Sequence, residues 1–154
     1  EFARNVLKIK NASSTEFGKT SYPLISLLTE WQTKKGLEKR SLKSQYGGTM
    51  RLGSYECHLH RNSKIIGIYN EQIIHERHRH RYEVDLSFCK NFKKKGMVFS
   101  GMSPNKDLPE ILELNCHPWF FGVQFHPELK SKPFEPHPLF SSFIKACLDK
   151  SRLI

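Results

Sequence analysis

The sequence predicts an α/β domain, with a mixed and largely parallel sheet flanked by helices. Three observations carry this. Short apolar segments of strand length alternate with helical patterns along the chain. The run Phe120-Phe121-Gly122-Val123-Gln124-Phe125 is apolar at almost every position, as in a strand covered on both faces. That run ends on His126-Pro127-Glu128. In an open parallel sheet this puts an imidazole at the carboxyl edge, where such sheets keep their active sites.

The elements follow in order. Residues 1–10 read as helix, with Phe2, Val6 and Ile9 at helical spacing and no capping residue before them. The chain is therefore expected to start inside a helix of a longer protein. Residues 11–20 are rich in Ser, Thr, Asn and Gly and read as a loop. Residues 22–31 are apolar and short, either a strand or a helical turn. Lys34-Lys35-Gly36 reads as a surface turn. Gly47-Gly48-Thr49-Met50-Arg51-Leu52-Gly53 is a turn feeding a strand over 54–60. Ser63 caps a short helix over 63–69. Residues 73–84 are a strand or an extended loop. Asp85 caps a helix over 86–95 that Gly96 ends. Strands follow at 97–101, 111–114 and 120–125. Pro138 opens a final helix, whose buried stripe is Leu139, Phe143, Ile144, Cys147 and Leu148.

With 154 residues, one domain with a proper core is expected. A hydrophobic share of 38% with 11 Phe excludes a disordered chain. No run approaches the roughly 18 apolar residues of a membrane helix, and there is no signal-peptide or transit-peptide pattern. No membrane partner is expected. Cys57, Cys89, Cys116 and Cys147 lie far apart with no C-x-x-C pair. That argues against a zinc ribbon or a disulfide scaffold, and for a reducing compartment. The net charge is +10. Its positive residues are spread over 34–35, 39–40, 75–81, 93–95 and 130–132 rather than focused, so no nucleic-acid partner is expected.

Several constellations carry chemistry, each beside a plainer reading. Glu128 is close enough to reach one ring nitrogen of His126 and fix its tautomer, leaving the other to take a proton from a nucleophile. The same His-Pro-Glu also suits a simple turn. In the stretch from Ile73 to Val84, an extended chain puts His78, His80 and Tyr82 on one face and Arg77, Arg79, Arg81 and Glu83 on the other. The Arg face suits a carboxylate or phosphate; the alternative is a solvated basic edge strand. The two His could share a zinc, but no nearby acid on their face completes a set, and no metal is assigned. The Gly47–Gly53 segment is not a P-loop, since no G-K-[ST] follows at the required spacing. Cys116 and His117 are adjacent, so on a strand they face opposite ways and cannot readily form a nucleophile–base pair.

Taken together, these segments closely resemble one family. Gly47-Gly48-Thr49-Met50-Arg51-Leu52-Gly53, Glu76-Arg77-His78-Arg79-His80-Arg81-Tyr82-Glu83-Val84, His117-Pro118-Trp119-Phe120-Phe121, Gln124-Phe125-His126-Pro127-Glu128 and His137-Pro138-Leu139-Phe140 are similar to the carboxyl-terminal glutaminase domain of the CTP synthase family. Asn11-Ala12-Ser13-Ser14-Thr15-Glu16-Phe17 fits it as well. That domain is a class I glutamine amidotransferase, and the resemblance implies that residues 1–154 are the C-terminal part of a single such domain. It further implies that a cysteine attacks the carboxamide of glutamine and that the ammonia released aminates UTP to CTP with ATP. His126 is then general base and acid, with Glu128 as its orienting partner. Glu16 and Arg81 bind the glutamine α-amino and α-carboxylate groups. Thr49, Arg51 and Leu52 match a loop tied to activation by GTP.

The family's nucleophile elbow is expected just upstream of Glu1, so this chain alone is expected to be inactive. ATP and Mg belong to an amino-terminal synthetase domain, which is the expected partner and the expected site of homotetramer assembly. The location expected is cytoplasmic. Two other classes remain open. One is a non-catalytic amidotransferase-like binding module, and the other is a basic nucleic-acid-binding domain.

Overall fold

The computed structural model describes residues 1–27, 30–33, 36–39 and 50–151, with backbone alone at 30–33 and 36–39. Phe2–Asn5 (α1) is one helical turn. Ala12–Ser14 (β1) runs into a 3₁₀ turn at Thr15–Phe17. Tyr22–Leu27 (β2) follows, then Glu30–Thr33 (β3) and Gly36–Lys39 (β4), which pair antiparallel. Arg51–Leu59 (β5) leads through Lys64–Tyr69 (α2) to Ile73–His80 (β6) and Tyr82–Val84 (β7). A 3₁₀ turn at Leu86–Phe88 joins Cys89–Lys93 (α3). Met97–Met102 (β8), Pro109–Leu114 (β9) and Phe121–Val123 (β10) precede the final helix, Pro138–Ser151 (α4).

These strands make a five-stranded sheet in the order β10-β9-β8-β5-β6 and a three-stranded one in the order β1-β2-β7. Every pairing in the larger sheet is antiparallel. In the smaller sheet β1 and β2 are parallel, and β2 and β7 antiparallel. The expectation of a largely parallel sheet is thus corrected. The linkers explain it: six residues, 103–108, join β8 to β9, and six, 115–120, join β9 to β10. A parallel crossover needs a dozen or more. The strand expected over 120–125 shrinks to Phe121–Val123 at the sheet edge, half-buried rather than covered on both faces.

Cys57, Leu59, Ile65, Ile74, Ile111, Phe125 and Leu139 form the apolar core, drawn from β5, α2, β6, β9, the turn after β10, and α4. Gly101 on β8 lets these layers close. A Cβ there would stand 2.6 Å from Ile111 Cγ1 and 2.8 Å from Cys57 Sγ.

Ser63 occupies the N-cap of α2, but its hydroxyl donates to His60 O and does not cap the helix. The capping acceptor is the buried Glu113 carboxylate on β9, which takes Lys64 N–H at 2.9 Å and Ile65 N–H at 3.2 Å. A full negative charge at a helix N-terminus satisfies both orphan donors and the dipole. The helix expected over 86–95 is split into the 3₁₀ turn and α3. Asp85 accepts from Ser87 N–H at 2.8 Å, and Gly96 (φ 86°) ends the segment.

Three further readings change. The opening helix stops at Asn5. The 11–20 segment contains β1; the strand alternative left open after it is the one found, at Tyr22–Leu27. The α4 stripe is buried at Leu139, but Phe143, Ile144 and Leu148 are 45%, 57% and 51% exposed and Cys147 is exposed too. α4 packs on α2, whose six residues span about 9 Å against about 21 Å for the fourteen of α4. The first turns alone can be covered that way. Lys34, Lys35 and 47–49 lie outside the described residues.

Candidate active site

β10 carries the chain to His126 along a fixed path. Gln124 N–H donates to Glu110 O at 3.0 Å, and Phe125 is buried in the core. His126 N–H then donates to Arg77 O on β6 at 2.8 Å. Pro127–Leu129 forms a 3₁₀ turn, closed by Leu129 N–H to His126 O at 3.1 Å. The turn brings Glu128 Oε1 to 2.7 Å from His126 Nδ1. The hydrogen bond from His126 holds the Glu128 carboxyl below the usual carboxylate range. An ionised carboxylate only accepts, so Nδ1 carries the proton and Nε2 of the neutral ring presents its lone pair. Both side chains are accessible, 36% and 58% exposed.

Beside this turn is a cleft of about 550 Å³. Glu16 and Arg81 both line it. Glu16 is exposed on the 3₁₀ turn after β1, which is set by its N–H donating to Ser14 Oγ at 3.2 Å. Arg81 is the single residue between β6 and β7, where the chain passes from one sheet to the other. The structure therefore brings Glu16 and Arg81 together. His126 and Glu128 do not line the cleft; Gln124, two residues earlier, does.

Glu110, which lines the cleft, belongs to a buried charged cluster. Arg51, at the start of β5, is 2% exposed. Its Nη2 lies 2.6 Å from Glu110 Oε1 and its Nη1 3.6 Å from Glu83 Oε1. Its guanidinium also stacks 4.5 Å from the Tyr55 ring centre. One cation faces two buried carboxyl groups, so they cannot both ionise cheaply. Burial pushes Glu83 up to about 7 and raises Glu110 as well, against the opposing pull of Arg51.

His78 and His80 continue the layer. His80 Nδ1 donates to Tyr82 O at 3.0 Å, so its Nε2 accepts from His78 Nδ1 at 2.8 Å. His78 Nε2 then faces Glu110 Oε2 at 3.5 Å as a lone pair. Burial and then the Arg51 charge push His78 down to about 2, so it stays neutral.

One expectation about this region is corrected. His78 and His80 do share a side, and they bond to each other. Glu83 does not share a face with the arginines, because the switch of sheets at Arg81 turns it inward to Arg51. Among the described residues no group of three His, Cys, Asp or Glu side chains is arranged to hold a metal ion. Of the loop residues singled out with GTP, Arg51 is buried against Glu110, Leu52 is 69% exposed, and Thr49 lies outside the described residues. Cys57 and Cys89 are buried, with thiols that burial pushes above their ordinary value, Cys89 to about 11. Cys116 and Cys147 are exposed on other elements.

Glu110, Glu83 and Arg51 as one buried cluster were not anticipated. The available signal was an acid flanked by apolar residues, Pro109-Glu110-Ile111, within a run too apolar to be a surface strand.

The fold and the His–Glu turn meet their family here. A family model described as Glutamine amidotransferase class-I matches residues 12–146, and the chain belongs to that family. Among similar curated proteins, the CTP synthase of Novosphingobium aromaticivorans is 58% identical over 154 residues, all of this chain and 28% of that protein. That of Pelagibacter ubique is 61% identical over 146 residues, 95% of this chain and 27% of that protein. The chain thus spans little more than a quarter of these relatives' length. A solved structure of the Trypanosoma brucei CTPS glutaminase domain with bound acivicin is similar as well. It has a TM-score of 0.78 and 29% identity, covering 96% of this chain and 54% of that one. Among the described residues, no helix is long and apolar enough to cross a membrane.

Proposed function

We propose that the chain is the C-terminal part of the glutaminase domain of a CTP synthase, and that it supplies the proton-transfer and substrate-holding groups for glutamine hydrolysis. The observation that carries this is the His126–Glu128 hydrogen bond beside a cleft lined by both Glu16 and Arg81, in a class I amidotransferase. Free glutamine has an α-ammonium and an α-carboxylate. Glu16 and Arg81 are the complementary pair, the guanidinium binding the carboxylate through parallel hydrogen bonds. The carboxamide is then directed toward His126.

His126 Nε2 takes the proton of a cysteine thiol, which attacks the amide carbon. Glu128 stabilises the resulting imidazolium without itself taking the proton. The imidazolium gives that proton to the leaving nitrogen, ammonia departs, and a thioester remains. Water activated by the same ring hydrolyses the thioester to glutamate. None of Cys57, Cys89, Cys116 and Cys147 lines the cleft, so the nucleophile is assigned to the remainder of the parent protein.

In that parent, the ammonia serves ATP-dependent amination of UTP in a synthetase domain that also holds Mg and assembles the tetramer. GTP activates through the loop of Thr49, Arg51 and Leu52, of which Leu52 is exposed and Arg51 buried against Glu110. The enzyme is cytoplasmic.

The test uses the full-length parent. Glu16→Gln and Arg81→Ala should each raise KM for glutamine, with Arg81→Ala costing about 2–5 kcal/mol in kcat/KM, as for desolvated charge pairs. CTP formation from ammonia should persist. An unchanged KM for glutamine in both variants would return the two residues to surface roles.

A further inference from the structure

We infer that Glu76 is a positioning residue for this site, a buried anion that clamps the His126-Pro127-Glu128 turn onto β6. The inference rests on the reading above, in which His126 and Glu128 move the proton.

Glu76 is fully buried on β6. Its Oε1 gathers three donors from three other elements. Tyr69 Oη on α2 donates at 3.1 Å, His137 Nε2 at the start of α4 donates at 2.9 Å, and the Lys130 ammonium lies at 3.4 Å. The His137 donor is fixed in kind. Its Nδ1 accepts Leu139 N–H at 3.3 Å, so the ring proton sits on Nε2. Burial raises the Glu76 carboxyl, but His137, Lys130 and Tyr69 outweigh it and leave the group below its ordinary value.

Lys130 is the link to the catalytic turn. It follows Glu128 by two residues, and its own N–H closes the turn onto Pro127 O at 3.1 Å. Its ammonium also donates to His75 O at 2.6 Å, next to Glu76 on β6. Ser131 follows, and its Oγ accepts His137 N–H at 3.1 Å. Upstream, His126 N–H is held by Arg77 O. The turn is therefore pinned to β6 on both sides, by backbone at Arg77 and by charge at Glu76. A buried carboxylate is a poor way to gain stability, because a well-packed hydrophobe does as well or better. What the charge supplies is geometry, and a displacement of about 1 Å at a catalytic group can cost about 100-fold in rate.

The test compares Glu76→Gln, Lys130→Met and Lys130→Arg in the full-length parent. Each is assayed for glutamate release and for CTP formation from ammonia. Glu76→Gln should lower kcat for glutamine by about 10–100-fold with KM within about twofold and ammonia-dependent synthesis intact. Lys130 is exposed, so its replacement leaves the core packed and keeps the test valid if Glu76→Gln does not fold. Lys130→Met should lower kcat several-fold, and Lys130→Arg should restore it. Variants that keep wild-type kcat for glutamine overturn the clamp. So does equal loss with glutamine and ammonia, or a change confined to KM. A wild-type parent that releases no glutamate removes the reading beneath the inference, and the inference with it.

Discussion

Arg51→Met probes how the buried cluster of Arg51, Glu83 and Glu110 is held. The substitution keeps most of the side-chain volume and removes the cation that stands 2.6 Å from Glu110 and 3.6 Å from Glu83. A unit charge pair at 3.6 Å interacts by about 4–5 kcal/mol at an effective dielectric constant of about 20, and breaking a buried pair by removing one partner costs about 3–5 kcal/mol. The two carboxyl groups have an escape, because each can take up a proton. With Glu83 at about 7 in the wild type, forcing a proton onto it at pH 8 adds about 1.4 kcal/mol. At pH 5.5 Glu83 is protonated with or without Arg51, so on the Glu83 account alone the variant should lose about 1.4 kcal/mol more at pH 8 than at pH 5.5; burial raises Glu110 too, which acts in the same direction.

The assay is thermal unfolding of the full-length parent by calorimetry at the two pH values, following the transition that carries this domain. A difference of about 1.4 kcal/mol corresponds to about 3–6 °C for a domain of this size, so the drop at pH 8 should exceed the drop at pH 5.5 by that amount. Equal drops at both pH values would show that Arg51 acts by packing, for instance on Tyr55, and not as the counter-ion of two carboxyl groups.

Glu83→Gln should change the pH profile of stability in a defined direction. A carboxyl raised from 4.5 to about 7 in the fold contributes stability below pH 4.5 that is lost as pH rises through 7, worth about 3 kcal/mol at most. The variant should lack that decline in melting curves between pH 4.5 and 7, and a parallel profile would refute the assignment. Gly101→Ala sets a Cβ 2.6 Å from Ile111 Cγ1 and should destabilise by about 1–3 kcal/mol, as overpacking does. An unchanged denaturation midpoint would mean that the β8–β9 layer has room to shift.

What the sequence made legible was local. His126 and Glu128 are two residues apart, and a proline between them fixes the turn, so their pairing needed no knowledge of the rest of the fold. Glu16 and Arg81 came from family resemblance; nothing in their own spacing tells that the turn after β1 and the β6–β7 junction present them to one cleft. The antiparallel sheet could have been read from the short 103–108 and 115–120 linkers, but the apolar character of 120–125 outweighed them. Apolarity reports burial, not strand direction. The α4 stripe shows the complementary limit. The periodicity of Leu139, Phe143, Ile144 and Leu148 defines a face correctly, but it does not say which surface covers it. Glu76, Glu83, Glu110 and Glu113 were hidden because a carboxylate reads as a surface residue until its partners are known. Those partners, Arg51, His137, Lys130 and the N-terminus of α2, lie far away in the chain.

The central claim is that His126 moves the proton in glutamine hydrolysis and has no part in the amination that follows. The most direct measurement compares CTP formation by the His126→Ala parent with glutamine and with ammonia as the nitrogen source. The account predicts loss of glutamine-dependent synthesis, together with ammonia-dependent synthesis near the wild-type rate. Equal loss with both nitrogen sources would make His126 structural, and retained glutamine use would place the base elsewhere.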